Sequence, residues 1–230
     1  MCRFVFFLFI VFVSCNPKLS NGLKKNDLKK DVEMITDKGT MIIRLSDSTP
    51  LHRDNFLKLV KQGFFDSILF HRVIRNFMIQ AGDPNSKHAK SGDVLGDGGP
   101  AYTIPAEFHT SLFHHKGVIA AAREPDDTNP AKASSSSQFY IVQGKTFTDT
   151  GLDSLEISRL KGRKIPVSRR EVYKKIGGAP HLDQSYTVFG EVIKGLDVID
   201  SIAMMPTSKP YDRPLKDIRI IKANLIKRLK

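Results

Sequence analysis

Short runs of apolar and β-branched residues, separated by turn residues, follow one another along most of the chain. Residues 32–36 and 40–45 form two such runs around Asp37-Lys38-Gly39, and a glycine-containing turn between two β-rich runs predicts a hairpin. Similar runs predict further strands at residues 67–74, 78–81, 101–104, 117–122, 137–142, 186–193 and 218–225. Many short strands of this kind indicate a mainly β protein.

Two segments have helical signals instead. Thr49 and Pro50 predict a helix start, as N-cap and first helical position, and Gly63 predicts its end. A second helix is predicted over residues 196–203. Because the strands do not alternate with helices as they do in a parallel sheet, the pattern predicts a closed antiparallel barrel capped by two α-helices.

Residues 145–180 interrupt the strand pattern. They contain two helix-like pieces, at residues 150–160 and 168–176, and residues 161–175 hold seven Lys or Arg against one Glu. We interpret this segment as a solvated helical insertion in a loop between strands. A docking patch for an acidic partner is the alternative.

Residues 1–14 have the pattern of a cleaved signal peptide: Arg3 precedes an apolar run over residues 4–13. That run is too short to span a bilayer, which needs about 20 apolar residues. Cys15 at the break resembles the lipidated cysteine of bacterial lipoproteins, although Phe12 stands where leucine is usual. The segment predicts an exported, membrane-anchored lipoprotein of the bacterial cell envelope that faces the periplasm. The alternative is an ordinary secretory signal followed by an incidental cysteine.

Residues 15–30 contain five lysines and few large apolar residues, which predicts a flexible tether between the lipidated Cys15 and a folded body over residues 31–230. Once residues 1–14 are removed, Cys15 is the only cysteine. An intrachain disulfide is therefore excluded, and a lipid would cap a thiol that is otherwise a liability in an oxidising compartment.

Composition narrows the class of protein further. Hydrophobic residues make up 40% and charged residues 26% of the chain, which excludes a disordered, collagen-like or disulfide-scaffold protein. The net charge of +12 suits an acidic partner but is weak evidence for one by itself. We expect no nucleic-acid partner, because no platform of aromatic and basic residues is present. His109, His114 and His115 match no metal-ligand spacing, so we interpret them as loop or rim residues and predict no metal site.

The most informative stretch is residues 70–83, Phe-His-Arg-Val-Ile-Arg-Asn-Phe-Met-Ile-Gln-Ala-Gly-Asp. If the chain bends near Arg75-Asn76, alternation places four side chains broadly on one side of two strands, namely Arg72, Ile74, Met78 and Gln80. A guanidinium beside apolar side chains is costly unless it is paired or used. The alternative is an arginine at the rim of the barrel with its charged end in water.

This stretch resembles the signature of the cyclophilin family of peptidyl-prolyl cis-trans isomerases, Phe-His-Arg-Val-Ile-(Pro-Gly)-Phe-Met-x-Gln-Gly-Gly-Asp. Two further segments resemble the family in the same order: residues 117–123 followed by 137–141, and residues 181–183 followed by 186–192. The resemblance covers residues 32–225. It implies an eight-stranded barrel with a helix at each end, in which residues 145–180 form an enlarged loop.

The resemblance also implies the reaction, rotation about an X–Pro peptide bond. Such a bond favours trans by about 0.5–1 kcal/mol and rotates over a barrier of about 18–20 kcal/mol. Because no bond is broken, the reaction needs no nucleophile, metal or cofactor. It needs a donor near the prolyl nitrogen, an apolar pocket for the ring, and hydrogen bonds that fix one flank.

The resemblance assigns these parts by position. It implies that Arg72 is the catalytic donor and that Gln80 holds Arg72 and touches the substrate. The implied substrate-binding residues are Phe77, Met78, Tyr140 and Leu182 around the proline ring, with Ala122, Arg123, Gln138, His181 and Tyr186 around them. At residues 122–123 the family's backbone pairs with the substrate as an added strand does.

Four departures from the family pattern matter. Asn76 belongs to a turn that is usually Pro-Gly, and asparagine tolerates the left-handed conformation. Tyr140 replaces phenylalanine and adds a hydroxyl that needs a partner. Arg123 replaces asparagine, and its charge is expected to favour acidic residues near the substrate proline. His181 stands where many eukaryotic members have the tryptophan that donates to cyclosporin, so we predict weak cyclosporin binding.

The leading hypothesis is therefore a prolyl isomerase that acts on proline-containing polypeptides and assists the folding of exported proteins. It would reach the membrane through its N-terminal lipid anchor, with a monomer as the default state. The alternative is a non-catalytic chaperone or scaffold that binds proline-containing peptides on a cyclophilin fold.

Overall fold

The computed structural model describes residues 22–230. The predicted signal peptide over residues 1–14 and the predicted lipidation site Cys15 lie outside this part of the chain. Its elements, in chain order, are β1 (Lys30–Thr36), β2 (Gly39–Leu45), α1 (Pro50–Lys61), β3 (Arg72–Ile74), β4 (Met78–Ala81), β5 (Thr103–Ile104), β6 (Val118–Ala121), β7 (Ser134–Ser135), β8 (Phe139–Val142), α2 (Asp149–Ser158), α3 (Val167–Lys175), β9 (Val188–Lys194), α4 (Leu196–Ala203), β10 (Thr207–Ser208), β11 (Arg213–Pro214) and β12 (Ile220–Lys227). Short 3-10 helices cover Asp27–Lys29, Pro84–His88 and Pro180–Leu182.

Eight strands form one antiparallel sheet in the order β12-β1-β2-β9-β6-β8-β4-β3. The sheet is curled but open: β12 and β3 are its two edges, so the predicted closure of the barrel is not confirmed. Where the edges approach, Leu69 and Arg219 form a single bridge, and the Phe70 amide donates to the Ile218 carbonyl over 2.9 Å. The contact precedes β3 in the chain and does not extend into a ladder between the edge strands.

The main core fills the concave side of the sheet, because alternate residues of each strand point inward. Helices α1 and α4 cover this core, as the sequence predicts, through Phe56 and Ile199 among others. The ring of Phe56 lies 4.8–5.4 Å, centroid to centroid, from those of Phe65, Phe139 and Phe189. Helix α4 has the predicted bounds, and α1 begins at Pro50.

A second apolar cluster lies on the outward face of β4, β6 and β8. In β8, Phe139 and Ile141 point to the main core, whereas Tyr140 and Val142 belong to the outward cluster. Met78 and Ala120, on the neighbouring strands, join them. Because side chains alternate along a strand, the sheet presents an apolar outward face at this point. That face carries the candidate site.

The insertion between β8 and β9 has a small core of its own. Leu152, Leu160, Ile165 and Tyr173 are buried together. The buried carboxylate of Glu156 accepts hydrogen bonds from the Ile165 amide and the Arg170 guanidinium. Much of the positive charge of this segment is already engaged: four of its cations contact acidic residues, namely Lys164, Arg169, Arg170 and Lys174. The insertion is thus a packed helical pair, and its charge is a weaker signal for an acidic partner than composition indicates.

The folded body also begins earlier than predicted. Leu23 and Leu28 pack against the main core. Asp27 is buried, and its carboxylate accepts a hydrogen bond of 2.7 Å from the Lys61 ammonium, which holds the pKa of Asp27 well below its usual range. Residues 22–30 are therefore part of the fold, in contrast to the flexible tether predicted over residues 15–30. Within the described residues, no helix has the length and apolar character needed to cross a membrane.

Candidate active site

The turn between β3 and β4 brings Arg72 and Gln80 directly opposite each other. Asn76, in this turn, has a φ of 63°, the left-handed conformation that asparagine tolerates. The Arg72 side chain is exposed, and its Nη1 donates a long hydrogen bond of 3.4 Å to Gln80 Oε1. The predicted bend and the predicted shared face of Arg72, Met78 and Gln80 are both present.

A chain of amides fixes the orientation of Gln80. Gln138 Nε2 donates to the carbonyl oxygens of Gly96 and Gly98, the latter over 3.0 Å. An amide nitrogen that faces two carbonyls must turn its own oxygen the other way, and Gln138 Oε1 accepts from Gln80 Nε2 over 3.2 Å. The Gln80 oxygen is then left to face Arg72. The backbone of residues 96–98 thus determines which atom meets the guanidinium, a role that sequence reasoning missed because the loop has no recognisable motif.

The predicted proline pocket is a contiguous set of apolar side chains. Met78 and Tyr140 are buried at 2% and 5% exposure and form its floor. The half-buried members that pack against them are Phe77, Ala122, Leu182 and Tyr186. Because these surrounding side chains keep part of their surface exposed, the cluster is accessible on the outward face of the sheet.

His181 closes one side of this pocket. Its ring lies 5.4 Å from the ring of Phe77, centroid to centroid. Burial lowers the pKa of His181 to about 4. The imidazole is therefore neutral at pH 7 and adds no charge to the pocket.

Arg123 differs from its predicted role. Its guanidinium lies over the Tyr186 ring at 4.5 Å, contacts Asp126 at 2.6 Å and donates to the Ser185 carbonyl over 2.8 Å. The side chain is only 4% exposed. Because its charge is already paired, the expected preference for acidic residues beside the substrate proline has no support in the geometry.

Some backbone groups at residues 122–123 already have hydrogen-bond partners within the protein. The Ala122 amide donates to the Gln138 carbonyl over 3.0 Å, and the Ala122 carbonyl accepts from the Ser135 amide over 2.8 Å. Ala122 therefore has no free N–H for an added strand, and the predicted backbone pairing would have to use Arg123. Beside these residues, an open cleft of about 680 Å³ extends from Gln80 and Gln138 to residues 96–103. It offers room for a substrate flank.

The three histidines near residue 110 do not converge. His109 contacts Ser111, and His115 Nδ1 lies 2.9 Å from the Lys116 carbonyl oxygen. His114 lies in the loop before β6, as predicted, but it is fully buried and contacts Asp183 and Tyr140, so it is not a rim residue. Nowhere in residues 22–230 do three or more His, Cys, Asp or Glu side chains form a group that could hold a metal ion.

The outward face of the curled antiparallel sheet thus carries an apolar cluster, bordered by an arginine that two glutamines orient. The family model described as "Cyclophilin type peptidyl-prolyl cis-trans isomerase/CLD" matches residues 31–225. The chain belongs to this family of prolyl isomerases, and the predicted family and enzyme class are confirmed.

Relatives agree with this assignment. A protein of Staphylococcus saprophyticus is 33% identical over 205 residues, which cover 89% of this chain and 94% of the relative. One from Staphylococcus aureus strain USA300 is 34% identical over the same shares of the two chains. Both are named as peptidyl-prolyl cis-trans isomerases.

Solved structures show the same fold. A crystal structure of a cyclophilin-type isomerase from Cryptosporidium parvum superposes with a TM-score of 0.62 at 21% identity, covering 87% of this chain and 99% of the other. A second crystal structure of that protein, in the presence of the dipeptide Ala-Pro, gives a TM-score of 0.59 at 22% identity, with 86% and 99% covered.

Proposed function

We propose that this isomerase turns X–Pro bonds at the outward pocket, with Arg72 as the donor to the prolyl nitrogen and Gln80 as its support. The observation that carries this proposal is the run of hydrogen bonds from the backbone of residues 96–98 through Gln138 and Gln80 to Arg72. A flexible exposed arginine would otherwise lose side-chain entropy on meeting the substrate. Support by two amides reduces that loss.

The pocket would hold the ring while Arg72 acts on the bond. With the proline ring against Met78 and Tyr140, Arg72 would approach the prolyl nitrogen from β3, the strand that pairs with β4. The barrier to rotation exists because the nitrogen lone pair is delocalised into the carbonyl. A guanidinium that hydrogen-bonds to the nitrogen as it becomes pyramidal stabilises the twisted state, and a hydrogen bond to a charged group contributes about 1.5–3 kcal/mol.

The test compares cis-to-trans rates on a proline-containing tetrapeptide for the chain from Asn16 onward and its Arg72→Ala variant. We expect fast catalysis by the parent and a loss of at least a hundredfold in the variant. Arg75→Ala is the matched control, because Arg75 is an exposed arginine in the adjacent turn. Equal rates for the parent and Arg72→Ala would contradict the assigned role.

The second candidate, a non-catalytic peptide-binding chaperone or scaffold, rests on the open cleft beside the pocket. It predicts that the parent binds proline-containing peptides and does not accelerate their isomerisation. Binding that survives in Arg72→Ala while turnover is lost would separate the two activities within one pocket.

The proposed setting is the bacterial cell envelope, where the protein would assist the folding of exported proteins. The support is the order basic start, short apolar run, Ser14-Cys15 at the beginning of the sequence. Metabolic labelling with palmitate tests it: the full-length chain should incorporate the label and fractionate with membranes, and Cys15→Ala should abolish both. Cys2→Ala is the matched control, because Cys2 lies in the segment proposed to be removed. An unlabelled, secreted protein would contradict the anchor.

A further inference from the structure

A single buried carboxylate connects the helical insertion to the pocket. Asp183 is 3% exposed and immediately follows the pocket residues His181 and Leu182. Its Oδ2 accepts a hydrogen bond of 2.8 Å from the hydroxyl of Tyr173, in α3 of the insertion. The insertion also reaches the backbone of the same residue, because Arg163 Nη2 donates to the Asp183 carbonyl over 2.9 Å.

The other oxygen of this carboxylate leads to the pocket floor. Asp183 Oδ1 accepts from the His114 amide over 2.8 Å and lies 3.0 Å from His114 Nδ1. On the far side of the imidazole, Nε2 lies 3.0 Å from the Tyr140 hydroxyl, and the His114 and Tyr140 rings are stacked. Tyr173, Asp183, His114 and Tyr140 are all buried.

The direction of each hydrogen bond follows from the groups present. An ionised carboxylate only accepts, so it selects the His114 tautomer that carries its proton on Nδ1. Nε2 is then an acceptor for the Tyr140 O–H. Burial raises the pKa of both Tyr140 and Tyr173, so both hydroxyls stay protonated and donate. The chain of donors therefore runs from each tyrosine towards Asp183.

We propose that Asp183, oriented by Tyr173 of the insertion, is a positioning residue of the proline pocket. Through its backbone it fixes the wall at Leu182, and through His114 it fixes the ring of Tyr140. The insertion then sets the shape of the pocket without touching the substrate. This inference rests on the proposed use of that pocket for the proline ring.

The alternative is that the insertion docks on the domain for stability alone. Tyr173 is fully buried, and its ring packs against those of Phe113 and Phe147, so a structural role exists in any case. The two hypotheses differ in one prediction. Only under the positioning role does the Tyr173 hydroxyl affect how well the pocket binds the substrate. Tyr173→Phe tests this link, because it keeps the ring and removes the one side-chain donor of the insertion within hydrogen-bond distance of the carboxylate; Arg169 Nη1 stays at 3.6 Å from Oδ2.

The experiment uses the full-length chain in detergent micelles and measures kcat and KM for a proline tetrapeptide. We expect Tyr173→Phe to raise KM roughly five- to tenfold, the effect of one lost hydrogen bond, with kcat changed less than twofold. Tyr211→Phe is the matched control, because Tyr211 is 57% exposed and lies in the separate segment between β10 and β11. An unchanged KM in Tyr173→Phe overturns the proposal.

A double-mutant cycle adds a readout that stability alone would not give. If the hydroxyls of Tyr173 and Tyr140 act through one chain, the effects of Tyr173→Phe and Tyr140→Phe on KM are not multiplicative in the double variant. The ¹⁵N shifts of the His114 ring should also report the Nδ1–H tautomer in the parent. Multiplicative effects, or the Nε2–H tautomer, contradict the coupling.

Two further measurements keep the inference testable under other outcomes. If Tyr173→Phe does not fold, Arg163→Met removes the exposed donor to the Asp183 carbonyl and should raise KM two- to fivefold. If the parent shows no turnover, the proposed function fails by itself, and the affinity for the same peptide by NMR titration then replaces KM. Equal affinities of the parent and Tyr173→Phe would overturn the positioning role in that case too.

Discussion

Arg72 Nη1 lies 3.4 Å from Gln80 Oε1, on the strand directly opposite. The distance is long for a hydrogen bond, so Gln80 guides the guanidinium without holding it rigidly. In the proposed mechanism, Arg72 follows the prolyl nitrogen as it becomes pyramidal, and this freedom allows that movement. Replacing Gln80 should therefore disturb the orientation of the Arg72 guanidinium while leaving its charge in place.

Gln80→Leu should lower kcat about tenfold with a smaller effect on KM, because the apolar pocket remains and the orientation of the guanidinium is lost. Steady-state or NMR exchange kinetics on a proline tetrapeptide measure this. Gln62→Leu, at the end of α1, is the control for the exchange of glutamine for leucine. A tenfold rise in KM with unchanged kcat would show that Gln80 acts by binding the substrate.

Cyclosporin should bind weakly to the parent protein. His181 stands where many eukaryotic members of the family have the tryptophan that donates to cyclosporin. Its neutral imidazole packs against Phe77. We expect inhibition only at micromolar or higher concentration, and an increase in affinity of about tenfold in His181→Trp, which is about 1.4 kcal/mol. Inhibition constants for the two proteins measure the effect. A nanomolar constant for the parent would contradict the prediction.

Stability should fall as the pH is lowered from 6.5 to 4. Burial lowers the pKa of His71 from 6.5 to about 4, and neither ring nitrogen has a hydrogen-bond partner among the described residues. Between these values the unfolded chain binds a proton that the folded chain does not. The stability due to neutral His71 is therefore complete above pH 6.5 and is lost as the pH falls towards 4.

Urea unfolding at several pH values measures the combined loss from His71 and from His181, whose pKa is also lowered to about 4. His71 accounts for about 1.4 kcal/mol per pH unit, the value for one proton. His71→Gln should reduce the slope by that amount, whatever its effect on absolute stability. His88→Gln, at an exposed histidine, should leave the slope unchanged. Identical slopes in the parent and His71→Gln would show that another group controls acid stability.

The backbone conformation of Asn76 should determine which substitutions at this position reduce stability. Asn76 has a φ of 63°, and its amide donates to Gln143 Oε1 over 2.6 Å. Asn76→Val should reduce the free energy of unfolding by about 1–2 kcal/mol, because a β-branched residue is strained in the left-handed region. Asn76→Gly should be close to neutral. Chemical denaturation compares the two, and equal effects would contradict the conformational argument.

Much of the fold followed from local patterns. The hairpin of β1 and β2, the start of α1, the bounds of α4 and the shared face of Arg72 and Gln80 all depend on residues close in sequence, where periodicity and turn chemistry act directly. The open edge between β3 and β12 did not follow, because local patterns specify strands and not whether the last pair completes its ladder.

The sequence by itself determined three things: the family, the two strands around the turn at Asn76, and the apolar residues of the predicted pocket. All three depend on short motifs that occur in a fixed order along the chain. The tertiary structure decided the rest. His114 meets Asp183 across 69 positions of the chain, and Asp27 meets Lys61 across 34. Buried polar groups must find partners wherever packing brings them, and no local pattern encodes which distant residue that partner is.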